Sequence, residues 1–128
     1  MTPGGPRLTA TVLDTPHPAV LAGFYRRLLG WAQRGEADET WVMLAAPDGG
    51  AGLSFQLEPG YVRPVWPSTP GEQQMSVHLD IGVEDLATAV THALAVGAVL
   101  SVHQPQDDVR VLLDPDGHPF CLFEVTAA

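Results

Sequence analysis

Three polar side chains stand out for the chemistry they could do. His78 and Asp80 lie two residues apart in the run Ser76–Val83, where Val77, Leu79 and Ile81 alternate with Ser76, His78 and Asp80. A period of two is the pattern of a strand with one apolar face, so the imidazole and the carboxylate share the polar face. An imidazole of ordinary pKa, about 6.5, suits either ligand contact or proton transfer near neutrality. The competing reading is a histidine satisfied by Asp80 or by a strand neighbour. Cys121 is the only cysteine. A nucleophilic thiol needs a nearby cation or helix N-terminus. The neighbours here are Pro119, Phe120, Leu122 and Phe123, which favour an inert thiol that packs as a small apolar group. Trp41, Trp66 and Phe123 offer flat faces on which a planar ligand could stack, with core packing as the alternative and the expected role for Phe55.

Other chemistries are excluded or unsupported. None of the six basic residues is lysine, so a lysine Schiff base is ruled out. There is no GxSxG elbow, phosphate-binding loop, Gly-rich dinucleotide fingerprint or CxxC pair. A single cysteine excludes an intramolecular disulfide and suits a reducing compartment. The net charge of −9 disfavours nucleic acid and anionic membranes, which reward clustered cations, and its field attracts a cationic ligand. No run approaches the roughly 20 apolar residues needed to span a bilayer. Met1-Thr2-Pro3-Gly4-Gly5-Pro6 lacks the basic-then-apolar layout of a secretion signal. The expectation is a cytoplasmic protein.

The elements that must position these groups come in a repeat. Pro47-Asp48-Gly49 recurs as Pro115-Asp116-Gly117, and Thr9–Leu13 falls on Val77–Ile81 at the same offset of 68. Each strand-like run leads to a helical pattern ending at a glycine, Gly30 or Gly97. The first module opens with a strand at Leu8–Leu13, turns at Asp14–His17, and starts a helix at Pro18, a residue suited to the first helical position. Val20, Leu21, Phe24 and Leu28 give its apolar stripe and Gly30 its cap. Strands at Thr40–Ala45 and Leu53–Leu57 flank the Pro47–Gly50 turn. In the second module, Glu84-Asp85 suits a helix start, and Leu86, Ala89, Val90, Ala93 and Leu94 form the stripe. Val109–Leu113 and Phe120–Val125 make a hairpin around Asp114–Gly117. His17, His92, His103 and His118 read as turn or surface residues. The 128 residues suit one domain. Its modules cover about 7–58 and 75–126. The connector 59–74 carries Pro59, Pro64, Pro67 and Pro70 with Tyr61 and Trp66 among them, so it should lie on the protein rather than swing free.

Phe24-Tyr25-Arg26-Arg27-Leu28-Leu29-Gly30-Trp31 resembles the FY…LLG(W/F) helix end of glyoxalase-like proteins, and Asp114-Pro115-Asp116-Gly117-His118-Pro119-Phe120 resembles their DP(D/E)G(N/H)PF hairpin. With the repeat, the resemblance to the vicinal oxygen chelate superfamily covers roughly 8 to 125. That superfamily comprises glyoxalase I, bleomycin-resistance proteins and extradiol dioxygenases. Trp66-Pro67 and Gln73–Asp80 are similar to an actinobacterial glyoxalase-like branch. The resemblance implies an α+β fold of two tandem βαβββ modules, a curled mixed sheet forming a cup with the helices outside, and homodimers. It also implies four metal positions facing the cup, usually His and Glu, which fall here on Ala10, Ser54, His78 and Cys121. Only His78 keeps a usual ligand. Gln56 and Asp80 face the cup as polar anchors or bond within the sheet, and a His78, Asp80, Cys121 cluster is conceivable. The expected function is therefore binding of a small planar or cationic molecule by Gln56, His78, Asp80, Cys121, Trp41, Trp66 and Phe123. No cofactor or complete metal site is expected; a metal, if bound, would use His78 and Cys121. The alternative is a lyase, isomerase or dioxygenase-type enzyme using a divalent metal, or His78 and Asp80 as catalytic acid and base.

Overall fold

The computed structural model describes residues 4–125. Met1 to Pro3 of the leader reading, and Thr126 at the end of the second module, lie outside these residues. The chain divides into two compact units between Tyr61 and Val62. Each has a four-stranded mixed sheet and one helix.

In the first unit the elements are β1 (Ala10–Thr15), α1 (Pro18–Leu29), β2 (Ala32–Gln33), β3 (Trp41–Ala45) and β4 (Gly52–Leu57), with sheet order β1-β4-β3-β2. β1 runs parallel to β4, with Val12 opposite Ser54 and Asp14 opposite Gln56; β3 is antiparallel to β4, with Trp41 opposite Gln56 and Met43 opposite Ser54. Pro18 opens α1, and Gly30 ends it at φ 73°, donating its N–H to the Arg26 carbonyl at 2.8 Å. That left-handed turn is open to glycine without steric cost. The buried stripe of α1 is Pro18, Leu21, Ala22 and Tyr25, spaced i, i+3, i+4, i+7, with Phe24 beside it. Val20, expected in the stripe, is 61% exposed, because the stripe is centred one position further round the helix. Tyr25 stacks on Phe55 at 5.6 Å and meets Phe24 edge-on at 4.9 Å. With Leu13, Leu21, Val42, Leu44 and Leu53 they form the core of this unit, which confirms Phe55 as a packing residue.

The second unit repeats the plan with β5 (Leu79–Val83), α2 (Leu86–Ala95), β6 (Val99–Leu100), β7 (Val109–Leu113) and β8 (Pro119–Glu124), in the order β5-β8-β7-β6. Asp80 lies opposite Cys121 in the parallel β5–β8 pair, and Val111 lies opposite Cys121 in the antiparallel β7–β8 pair. β5 begins at Leu79 rather than Ser76. One step back along the register, His78 would face Pro119, which has no N–H to give to the ladder. His78 therefore sits just before β5 and not in mid-strand. α2 is anchored by acids: Asp85 accepts the Thr88 N–H and the Glu124 carboxylate accepts the Leu86 N–H, both at 2.9 Å. Its packing is looser than that of α1, since Ala93 alone is buried and Leu94, expected in the stripe, is 43% exposed. The short edge strands β2 and β6 have no counterpart in the sequence reading.

The turns follow their sequences. Asp48 accepts the Gly50 N–H, and the buried Asp114 accepts the N–H groups of Asp116 and His118. Such side-chain bonds two to four residues ahead pre-form the hairpin. The connector lies on the second unit. Arg63 donates to the Pro115 carbonyl at 3.0 Å and covers Gly117, Val65 bonds Gln73, and Trp66 packs edge-on against His103 at 5.8 Å. Among the described residues no helix is long and apolar enough to cross a membrane.

Candidate functional site

Alternation assigns the faces of each sheet. In β8, Glu124 bonds the start of α2, so Phe120, Leu122 and Glu124 point to the helix side, and Cys121 and Phe123 point to the other. Asp80 is the strand partner of Cys121 on that same face. The three groups singled out in the sequence meet there. His78 Nε2 lies 3.2 Å from Asp80 Oδ1, and one donor atom from each of His78, Asp80 and Cys121 falls within 4.8 Å of the others. The histidine and aspartate side chains are 41% and 62% exposed, so solvent reaches them. The thiol is half-buried. Burial first, then the charge of Asp80 and a hydrogen bond to it, push the Cys121 thiol above its ordinary pKa. A thiol held protonated is a poor nucleophile.

The same face in the first unit has a different character. Phe55 stacks on α1, so Leu53 and Phe55 point to the helix side, and Ser54 and Gln56 point to the other with Ala10, Val12, Trp41 and Met43. A cleft of about 160 Å³ opens there, lined by Thr9, Ala10, Val12, Arg34, Trp41, Met43, Leu44 and Ser54. Its floor holds the Ser54 hydroxyl, in a residue only 2% exposed. Its rim holds Arg34, whose backbone N–H extends the β2–β3 pairing by bonding the Met43 carbonyl at 2.8 Å. Among the described residues the Arg34 guanidinium has no acidic partner, and no carboxylate lines the cleft. Gln56 lies opposite Trp41 in register but does not line the cleft.

A larger groove of about 380 Å³ runs along α1 past Arg26, Asp38, Glu39 and Val42, but no aromatic residue lines it. Asp38 is already engaged there: the Thr40 hydroxyl and N–H hold its carboxyl below the usual range. Two further depressions, of about 410 and 300 Å³, border Trp31 at the β3–β4 turn and at the C-terminal end of α1, away from the sheet face that carries Ser54. The Trp41 cleft lies on that face, and the first unit's candidate site is centred there.

The site residues thus fall into two sets. His78, Asp80, Cys121 and Phe123 share one face of the second sheet, and Trp41 and Gln56 share one face of the first. Trp66 belongs to the connector, where its indole N–H is buried and has no hydrogen-bond partner among the described residues. Arg34, Val12 and Met43 join the first set from the structure alone. Arg34 carries no signal in the sequence, because the strand that places it is two residues long.

These features define a class: two βαβ-type modules, each with an α-helix on one sheet face and the candidate site residues on the other. A family model for the glyoxalase-like domain matches residues 10–123, and the chain belongs to that family. Its fold is shared with a glyoxalase/bleomycin resistance protein/dioxygenase family enzyme from Burkholderia phytofirmans PsJN, at 18% identity and a TM-score of 0.71, covering 94% of this chain and 100% of that one. It is similar also to a glyoxalase-related enzyme from Fulvimarina pelagi (19% identity, TM-score 0.66, 93% and 88% covered) and to a lactoylglutathione lyase from Agrobacterium tumefaciens (15%, 0.62, 94% and 95%). No curated protein matches the chain.

The four metal positions that the resemblance implies do not fit a metal here. Ala10 has no donor atom, and the Ser54 hydroxyl is a poor ligand for a divalent cation. What the chain brings together instead lies in one module.

Proposed function

We propose that this protein is a binding member of the glyoxalase-like family, of the actinobacterial branch, that holds a planar, single-ring molecule bearing an anionic group. The observation that supports this is the cleft of about 160 Å³ with an indole wall, the hydroxyl of the buried Ser54 on its floor and, at its rim, a guanidinium with no acidic partner among the described residues. An apolar cavity of about 150 Å³ is enough to take up benzene, so the cleft is sized for one ring. Trp41 gives the ring a stacking face, Ser54 orients it, and Arg34 pairs with its charge. The net charge of −9 favours a cation at long range. Beyond a Debye length, about 8 Å at physiological salt, that field is largely screened, and Arg34 is the charge at the cleft itself. An anionic ligand therefore replaces the cationic one suggested by composition. In this reading the protein acts in the cytoplasm as a homodimer, with no nucleic-acid or membrane partner, and capture needs no cofactor.

The test is thermal unfolding with matched aromatic carboxylates, amides and amines. A carboxylate at 100 times its dissociation constant adds about 2.7 kcal/mol of stability. The amide and amine analogues should add much less, and Arg34→Ala should erase the difference. Stabilisation by the amines, or indifference to Arg34→Ala and Trp41→Ala, sinks the reading. A second reading, metal-free acid–base catalysis, is favoured by the 3.2 Å contact of His78 with Asp80. It requires His78→Ala to stop turnover while the protein still binds the carboxylate.

A further inference from the structure

We infer that the second module contains a thiolate metal site, formed by His78, Asp80 and Cys121, that selects zinc-type cations over magnesium or calcium. The site uses none of the residues that line the cleft and does not depend on the ligand proposed for it.

The donor atoms carry the argument. An imidazole nitrogen, a carboxylate oxygen and a sulfur lie within 4.8 Å of one another on one sheet face. Ligands around a tetrahedral zinc, at about 2.0–2.3 Å from the ion, lie roughly 3.5 Å apart. The contraction to that value falls to the exposed His78 and Asp80 side chains, since Asp80 and Cys121 are already paired on adjacent strands. Three protein ligands leave a fourth position for water or another small ligand. Sulfur and imidazole favour zinc, cobalt or cadmium, whereas magnesium and calcium take oxygen ligands.

Two of these ligands, His78 and Cys121, stand at positions that the family resemblance implies, but the ligand set differs from the implied one. That pattern divides its His and Glu ligands between both modules, and two of its four positions here are Ala10 and Ser54. The present set lies wholly in one module. Its third member, Asp80, occupies a position where the first module has Val12, and its sulfur replaces a carboxylate.

Cobalt(II) titration of the untagged full chain, stripped of metal by chelation, tests the site. One equivalent should bind with a thiolate-to-cobalt charge-transfer band in the near ultraviolet. Zinc should bleach that band and magnesium should not. Cys121→Ser, which keeps the size of the side chain, should lose the band with an unchanged circular dichroism spectrum. His78→Ala and Asp80→Asn should each weaken cobalt binding by at least about tenfold, the smaller loss seen when even an outer-shell partner is removed. Absence of the band in the folded protein overturns the site. So does a band whose affinity is the same in both of those variants, because cobalt would then be held by the cysteine alone.

Discussion

At three equivalent positions the two sheets share a backbone plan and differ in side chains. Ala10, Val12 and Ser54 in the first module correspond to His78, Asp80 and Cys121 in the second. The first two pairs are related by the offset of 68 that also relates the Pro-Asp-Gly turns, and Ser54 and Cys121 are the strand partners of Val12 and Asp80. The first set makes an apolar floor with one hydroxyl. The second makes an ionisable cluster of an imidazole, a carboxylate and a thiol whose donor atoms lie within 4.8 Å of one another. The scaffold therefore fixes where functional groups stand but not what they are. Duplication of a fold need not duplicate its chemistry.

The modules also differ in how firmly their helices are held, and the largest expected effect breaks that contrast. Phe24 on α1 is fully buried, so Phe24→Ala should cost about 3–5 kcal/mol in denaturant unfolding. Leu94→Ala on α2, at a side chain 43% exposed, should cost about 1 kcal/mol or less. Equal losses would mean that α2 is packed as tightly as α1.

A middle-sized effect concerns the residues that open the last strands, Gly52 and Pro119. A Cβ at Gly52 would run into the Leu44 carbonyl oxygen across the β3–β4 pair. Gly52→Ala should therefore cost about 1–3 kcal/mol by forcing the strands apart. Pro119→Ala should cost about 0.4–1 kcal/mol, mainly by freeing the unfolded chain. Chemical denaturation of the two variants side by side checks the pair.

The smallest effect is on rate. Burial and Asp80 raise the Cys121 pKa in the folded state. A raised thiol pKa means that the neutral form is favoured by folding. This contribution to stability is present below the unfolded thiol pKa of about 8.5 and is lost as pH rises through the folded value. Alkylation of metal-free protein at mildly alkaline pH should accordingly be slower than for an unfolded control. Asp80→Asn should speed it several-fold by removing the charge beside the sulfur. No change in Asp80→Asn would show that burial alone sets the thiol.

Much of the fold was legible because it rests on local rules. Pro18 and Gly30 bracket α1 as their backbone preferences require. The Pro-Asp-Gly turns and the Val109–Leu113 strand lie where the sequence places them. β2 and β6 were not legible, since two residues cannot display a period and their pairing depends on partners far along the chain. The start of β5 differs for a tertiary reason: the alternation continues back to Ser76, but the neighbouring strand opens with a proline. The His78–Asp80 pairing follows from spacing, and the approach of Cys121 follows from sheet register. The Trp41 cleft was half visible. An aromatic on a strand can be read from the sequence, but the Arg34 beside it is positioned by β2 and so was not.

Arg63 has a further consequence, for anyone who recombines such chains. Its guanidinium spans from the connector to the Pro115 carbonyl and lies over Gly117. Two half-genes joined after Gln74 would give the incoming half a turn whose clasp stayed with the donor, and would part Trp66 from His103. A seam between Tyr61 and Val62 carries clasp and turn together. The connector is thus inherited as the leading edge of the second half, although in the sequence it reads as belonging to neither.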